Sequence, residues 1–270
     1  MATRRPKRTF ASMQIIPLSE GAFTIDKTKR FIPFDLEKDD LQQRPVGSLL
    51  VEVQPFAVVT TEDILVIDTG LGFAQNGVLQ IHQNLRHAGI DPGNVTKVLM
   101  SHLHKDHAGG ISGDCSGDGI GGEVAGGARI PRQLAFPNAT YYIQRKELDY
   151  AFEKGPTSYI PEELQCLREN PRVVYLEGDG VIDGYIKYQV TGAHCPWHQV
   201  FWIVDGGETV FFGGDVAPQL QQMKSRFVAK YDYDGKKAME LRQEWWERGQ
   251  REGWTFLFYH DVKTPTFSIR

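Results

Sequence analysis

Apolar residues along this chain fall into short runs separated by glycine-rich and polar punctuation. Residues 46–53 and 56–59 are rich in β-branched side chains, Thr60-Thr61-Glu62-Asp63 interrupts them, and 64–67 forms a further run that ends in Asp68-Thr69-Gly70. Spacing then changes to that of a helix: Val78, Ile81, His82, Leu85 and Ala88 share a face, and Gly89 stops it. A buried strand is predicted over 95–101. The second half repeats the rhythm, with strands predicted at 140–143, 172–176 and 185–190 and a helix beginning at 146–152. Residues 199–204 and 209–212 read as a hairpin across Asp205-Gly206-Gly207. A long amphipathic helix over 236–251 carries Ala238, Leu241, Trp245 and Gly249 on one face, and 255–259 makes a last strand.

Strands and helices occur in both halves with no visible linker. The expectation is one α/β domain over 1–270, an αββα sandwich of two packed mixed β-sheets with helices on the outer faces. Residues 1–20, which start with a basic run, read as a flexible N-terminal segment, and 111–132 as a glycine-rich loop insertion that is a candidate lid or rim. Asp114 and Asp118 in that loop complete no calcium-binding spacing.

Composition narrows the classes. The 270 residues suffice for a large core, and a net charge of −4 gives no reason to expect nucleic acid as a partner. No apolar run has the length of a membrane span, and no signal-peptide pattern follows the basic start. Cys115, Cys166 and Cys195 are odd in number and widely spaced, so a cytoplasmic location is expected rather than a disulfide framework.

The candidate chemistry lies where strands end. The 95–101 strand empties into His102-Leu103-His104-Lys105-Asp106-His107, three imidazoles and a carboxylate within six residues. Three further strand ends deliver His194, Asp215 and His260. Neutral imidazoles and carboxylates suit zinc and similar divalent ions, and two ions close together need a shared anionic ligand to relieve their repulsion.

This pattern resembles the metallo-β-lactamase superfamily from roughly Val46 to Asp261. The matching pieces are the Asp68-Thr69-Gly70 turn, the hexad, Gly192-Ala193-His194, Gly213-Gly214-Asp215 and His260. The resemblance implies one metal on His102, His104 and His194, another on Asp106, His107 and His260, and Asp215 as the bridge. It implies zinc as the usual metal, with iron, manganese or cobalt as alternatives, and Asp68 as a residue that holds ligands by hydrogen bonds. Asp215 and His107 disfavour β-lactam cleavage, and His104 argues against the flavodiiron branch. Gly89-Ile90-Asp91-Pro92 and the stretch from Phe136 to Tyr141 look most like the lactonase and methyl parathion hydrolase-like group.

The implied activity is hydrolysis of a small ester or lactone by a hydroxide held between two metals, with Asp106 as both ligand and proton shuttle. The alternatives are a phosphodiesterase or phosphotriesterase of the same fold, or a mononuclear iron oxidoreductase resembling persulfide dioxygenases. Some lactonases carry a tyrosine three residues after the bridging Asp, where this chain has Pro218. Cys195 is expected as a packed thiol, His82 and His87 as solvated residues, and His198 as a surface residue, with a place behind the ligands as the alternative. The tryptophans read as core, with Trp197 near the mouth, and Tyr259, Phe211 and Phe212 read as an apolar wall for a neutral substrate.

Overall fold

The computed structural model describes residues 13–113 and 133–269. Two six-stranded sheets face each other. In the first, Gln14–Pro17 pairs antiparallel with Phe56–Val59, which pairs antiparallel with Ile64–Ile67. From there Lys97–Leu99, Thr140–Gln144 and Val173–Leu176 continue in parallel. The second sheet runs antiparallel through Gly180–Ile182, Ile186–Val190, Gln199–Asp205 and Glu208–Phe212. It then adds Thr255–Leu257 in parallel and Thr266–Ser268 antiparallel.

Strand alternation divides the apolar side chains into three clusters. Val58, Leu65, Ile67 and Leu99 meet Ile186, Phe201, Ile203, Phe212 and Leu257 between the sheets. On the outer face of the first sheet, Ala57, Val66 and Val98 pack with Ile81 and Leu85 of the helix Gln80–His87 and Leu148 of the helix Arg145–Lys154. On the other flank, Val200, Trp202, Phe211 and Phe256 pack with Ala238 and Trp245 of the helix Gly235–Glu252. The order of layers is therefore helix, sheet, sheet, helix, as the pattern of the chain predicts.

Several expectations need correction. Residues 13–20 fall within the segment read as flexible, yet Gln14–Pro17 is a sheet strand, and Leu18 and Glu20 are buried. Glu20 accepts a hydrogen bond from Leu71 N at 2.6 Å, so this segment helps hold the turn that contains Asp68. The first long strand is shorter than 46–53: it spans Leu49–Val53, and Val46 is exposed. In the long helix the buried face includes Arg242, which apolar periodicity misses, whereas Leu241 is only half-buried. Most of the glycine-rich insertion lies outside the described residues; its edges are joined by a bridge between Ser112 and Leu134.

The turn after Ile64–Ile67 and the segment after Lys97–Leu99 touch through bare backbone. A Cβ on Gly110 would lie 2.1 Å from the carbonyl oxygen of Thr69, and one on Gly109 would lie 2.2 Å from that of Leu71. Neither oxygen is the end of a flexible side chain, so relief requires the backbone to move. Gly110→Ala is expected to destabilise the protein by about 1–3 kcal/mol, the range for overpacking in a close-packed interior. Urea unfolding checks this, and an unchanged midpoint would remove the close approach as a constraint.

Candidate metal centre

The hexad works because the backbone changes conformation within it. His102 and His104 lie in the extended stretch after Lys97–Leu99, where a spacing of two puts both rings on one side. Their centroids are 4.4 Å apart. His104 is the N-cap of the short helix Lys105–Ala108, whose turn presents Asp106 and His107 in a different direction. One six-residue segment thus supplies ligand candidates to two places.

The second sheet brings the rest. His194 follows Ile186–Val190, Asp215 sits in the turn Gly214–Val216 after Glu208–Phe212, and His260 follows Thr255–Leu257. Two groups of donor atoms result, each within 4.8 Å of one another: His102, His104, His194 and Asp215, and Asp106, His107, Asp215 and His260. Asp215 belongs to both. Its Oδ2 is 3.2 Å from His194 Nε2, while its Oδ1 is 3.0 Å from His107 Nε2 and 3.1 Å from His260 Nε2. Asp106 Oδ2 is farther off, 3.5 Å from His260 Nε2 and 3.7 Å from His107 Nε2.

Each of three imidazoles is oriented from behind by a bond to its far nitrogen. His107 Nδ1 faces Asp68 Oδ2 at 2.7 Å, His194 Nδ1 faces Asp232 Oδ1 at 2.9 Å, and His260 Nδ1 faces the Glu52 carbonyl at 2.6 Å. Such partners fix the tautomer and aim the free nitrogen at the space between the two donor groups, where a metal would sit. Asp68 is itself held, accepting from Ser101 N at 2.7 Å and from Ser101 Oγ at 2.6 Å. It takes φ +55°, a left-handed conformation that Asp tolerates better than most residues.

Residues beneath the centre complete it. His198 is wholly buried, contrary to the expectation of a surface residue. Its Nε2 accepts from Asp215 N at 3.2 Å, and its Nδ1 lies 3.2 Å from Thr191 Oγ1. A Cβ on Gly214 would come within 2.6 Å of that ring, and Gly214 has φ +48°, so this turn requires glycine. Glu147, also buried, accepts from Leu103 N at 3.0 Å and from Tyr159 OH at 3.1 Å, and Cys195 Sγ is 3.4 Å away. Cys195 is buried, in keeping with a packed thiol. His82 is half-buried against Phe136, whereas His87 is exposed. Tyr259, Phe211 and Phe212 are core residues at most 1% exposed, not an apolar wall; the Tyr259 hydroxyl donates to the Asp106 carbonyl at 2.6 Å. Trp197 is half-buried, with the Lys146 ammonium 4.5 Å above its ring.

Sequence reasoning missed Asp232, His198 and Glu147. Only His198 left a trace, four residues after His194. Asp232 lies in an irregular stretch and Glu147 on a helix with ordinary periodicity, so neither position marks itself.

The electrostatics divide the imidazoles. Burial, followed by the neighbouring histidines, holds His102 and His104 well below the usual imidazole range. Burial also pushes His107 and His260 down, but Asp215 and Asp106 outweigh it and raise both, with Asp68 adding to the effect on His107. The residues fit a metal by their own arrangement. His102 Nε2, His107 Nε2 and Asp215 Oδ1 are buried and lack hydrogen-bond partners among the described residues, a costly arrangement unless something draws them together. A separate cleft of about 630 Å³ lies at the opposite strand ends, lined by Thr60, Asp63, Lys97, Tyr185 and Asp205 among others. There Asp63 is already paired with Lys97 and Tyr185.

Residues 50–113 match the family model described as the metallo-beta-lactamase superfamily. That match covers under half of the chain; the layers of the described residues are those of the metallo-β-lactamase fold. It is 31% identical over 126 residues to an N-acyl homoserine lactonase, AttM, of Azorhizobium caulinodans, an alignment covering 43% of this chain and 38% of that protein. The chain thus spans under two fifths of that relative's length. Among solved structures, a probable metal-dependent hydrolase from Staphylococcus aureus superposes with a TM-score of 0.74 at 20% identity, covering 95% of this chain and 92% of the other. A dizinc quorum-quenching lactonase, AidC, superposes with a TM-score of 0.67 at 18% identity, covering 97% and 92%.

Metal binding should divide by pH. A metal takes neutral imidazole, so the raised His107 and His260 must shed protons to bind, while the depressed His102 and His104 already lack them. Zinc affinity of the Asp106, His107 and His260 group is expected to rise with pH up to the raised values, by about one log unit per pH unit for each proton displaced. His102 and His104, already neutral, are expected to add no such dependence between about pH 6 and pH 8. Calorimetric titration in buffers of differing ionisation enthalpy checks this. Equal slopes for both equivalents would refute the division.

Proposed function

We propose that this single domain is a metal-dependent hydrolase that opens a small ester or lactone at a dinuclear centre, with zinc as the best-suited metal. The observation that carries the reading is the Asp215 carboxylate, whose two oxygens are divided between two imidazole groups. A carboxylate in that position offsets the repulsion of two cations, and a mononuclear site would leave one of the two groups without a purpose.

His102, His104 and His194 would hold one ion, Asp106, His107 and His260 the other, and Asp215 both. When bound, such a pair supplies Lewis acidity and a water whose pKa is lowered to near neutrality. The chain's own contributions are positional. Asp68, Asp232 and the Glu52 carbonyl keep the His107, His194 and His260 rings aimed, and burial keeps bulk water from competing. Asp106 is the carboxylate less engaged by the imidazoles, so it is the one placed to take a proton at Oδ and return it to the leaving oxygen.

The names of the relatives support a lactone or ester over a phosphodiester. So does the exposed Tyr231 ring, 6.3 Å from the His194 imidazole, with Phe227 and Val228 exposed earlier in the same stretch of chain. On the His104 side, Lys29 and Lys105 add positive charge. No helix among the described residues is long and apolar enough to cross a membrane.

His104→Ala and Asp215→Ala are both expected to abolish hydrolysis, but Asp215→Ala should release metal from both groups and His104→Ala from one. Elemental analysis after gel filtration distinguishes them, and an Asp215→Ala protein retaining two tightly held metals would sink the bridge. Substrate class is tested with an acyl lactone, a nitrophenyl ester, a phosphotriester and bis-nitrophenyl phosphate side by side. Lactone or ester should turn over fastest; a phosphodiester cleaved best, with those inert, would move the protein to the phosphodiesterase reading.

A further inference from the structure

Arg242 is wholly buried in the helix Gly235–Glu252, away from every ligand candidate in sequence. A guanidinium taken out of water needs compensation, and a core helix position would more simply hold an apolar side chain. Its Nη1 donates to the Val216 carbonyl at 2.8 Å, and its Nη2 donates to the Phe227 carbonyl. Val216 directly follows Asp215. Phe227 begins the irregular stretch that reaches Asp232, the partner of His194.

That stretch is stitched to the His194 turn by backbone as well. Tyr233 N donates to the His194 carbonyl at 3.1 Å, and Asp234 N to the Ala193 carbonyl at 2.7 Å. Two buried polar atoms here lack hydrogen-bond partners among the described residues, Arg242 Nε and Asp232 Oδ2. Burial lowers the Arg242 guanidinium, and the Asp232 carboxylate opposes that shift.

The geometry points to Arg242 as a positioning residue for the metal group His102, His104, His194 and Asp215: it holds the Asp215 turn at Val216, and at Phe227 it holds the stretch whose Asp232 orients His194. This rests on the dinuclear reading given above. The second group has its own supports, Asp68 behind His107 and Glu52 behind His260, and neither is bonded to Arg242. A purely structural clamp would weaken the fold as a whole; a positioning residue weakens one metal more than the other.

The test is zinc affinity by chelator competition, with cobalt(II) absorption to identify which group is affected, on the wild type, Arg242→Met, Asp232→Asn, the double variant and Arg242→Lys. Thermal melting of the metal-free proteins reports folding separately. Arg242→Met is expected to weaken both equivalents, because the Asp215 turn serves both, but the one held by His194 more. Asp232→Asn is expected to weaken that same equivalent, each by about 10–100-fold there, the usual effect of losing an outer partner of a ligand. At the equivalent held by His194 the double variant should be no worse than Arg242→Met alone, since Asp232 acts there along the path that Arg242 already holds. Arg242→Lys, which keeps the charge but not the fork, should restore part of the loss. Wild-type affinity in Arg242→Met, equal weakening of both equivalents, or additive losses would overturn the inference while leaving the dinuclear centre in place. If Arg242→Met fails to fold, Arg242→Lys decides: weakening of the equivalent sensitive to Asp232→Asn supports the role, and unchanged affinity overturns it. A wild type that takes up fewer than two metals overturns both readings.

Discussion

Parallel pairing at two places is the constraint that creates the centre. Ile64–Ile67 lies parallel to Lys97–Leu99 with Ile67 opposite Leu99, and Glu208–Phe212 lies parallel to Thr255–Leu257 with Phe212 opposite Leu257. Parallel neighbours end at the same edge of a sheet, so the segment leaving each strand emerges beside the segment leaving its partner. Asp68 is thereby delivered next to the hexad, and Asp215 next to His260. Because the sheets face each other, the two edges oppose, and side chains separated by more than 150 positions meet within hydrogen-bond distance, as Tyr259 and the Asp106 carbonyl do. Antiparallel pairing at either place would send one member of the pair to the far end of the sandwich.

Concentrating imidazoles and carboxylates in that space works against the stability of the metal-free protein. Burial raises Asp68 although His107 and Ser101 oppose the shift, and His102 and His104 are driven toward the neutral form by burial and by neighbouring histidines, His107 and His104 for the first and His194 and His107 for the second. Buried groups that lack partners are tolerated where the surrounding structure over-determines them. Here two cross-linked sheets and the bare glycine contacts at Gly109, Gly110 and Gly214 do so. A metal binding only the folded state would return part of that cost as folding free energy.

Most of the architecture was legible in the chain because strand alternation and helix periodicity are local signals. The two-sheet sandwich, the hairpin, the long helix and all four ligand-bearing strand ends were readable, and the hexad announces itself by density alone. The failures had a common cause. His198 looks like any surface histidine until the fold places it beneath Asp215, and Phe211, Phe212 and Tyr259 look like pocket walls only because they adjoin ligands in sequence. Adjacency along a strand puts successive side chains on opposite faces, so a residue next to a ligand more often points away from the site than into it. Asp232 and Glu147 were invisible for a different reason: their roles depend on pairings with His194 and Leu103 that no spacing encodes.

The same division explains how one arrangement of ligands can serve several chemistries. The ligand candidates sit at or just after strand ends, where the sheets fix them, while the exposed groups beside them, Phe227, Val228, Tyr231 and Lys29, lie in connecting segments. Connections tolerate substitution far better than the paired strands they join. Asp232 lies on the boundary, because it belongs to a connecting segment yet orients a ligand. Anchoring of that segment at Phe227 by Arg242, and at Tyr233 and Asp234 by the His194 turn, separates two tasks within eight residues. The buried Asp232 carboxylate is held behind His194, while the Phe227, Val228 and Tyr231 side chains of the same segment stay exposed.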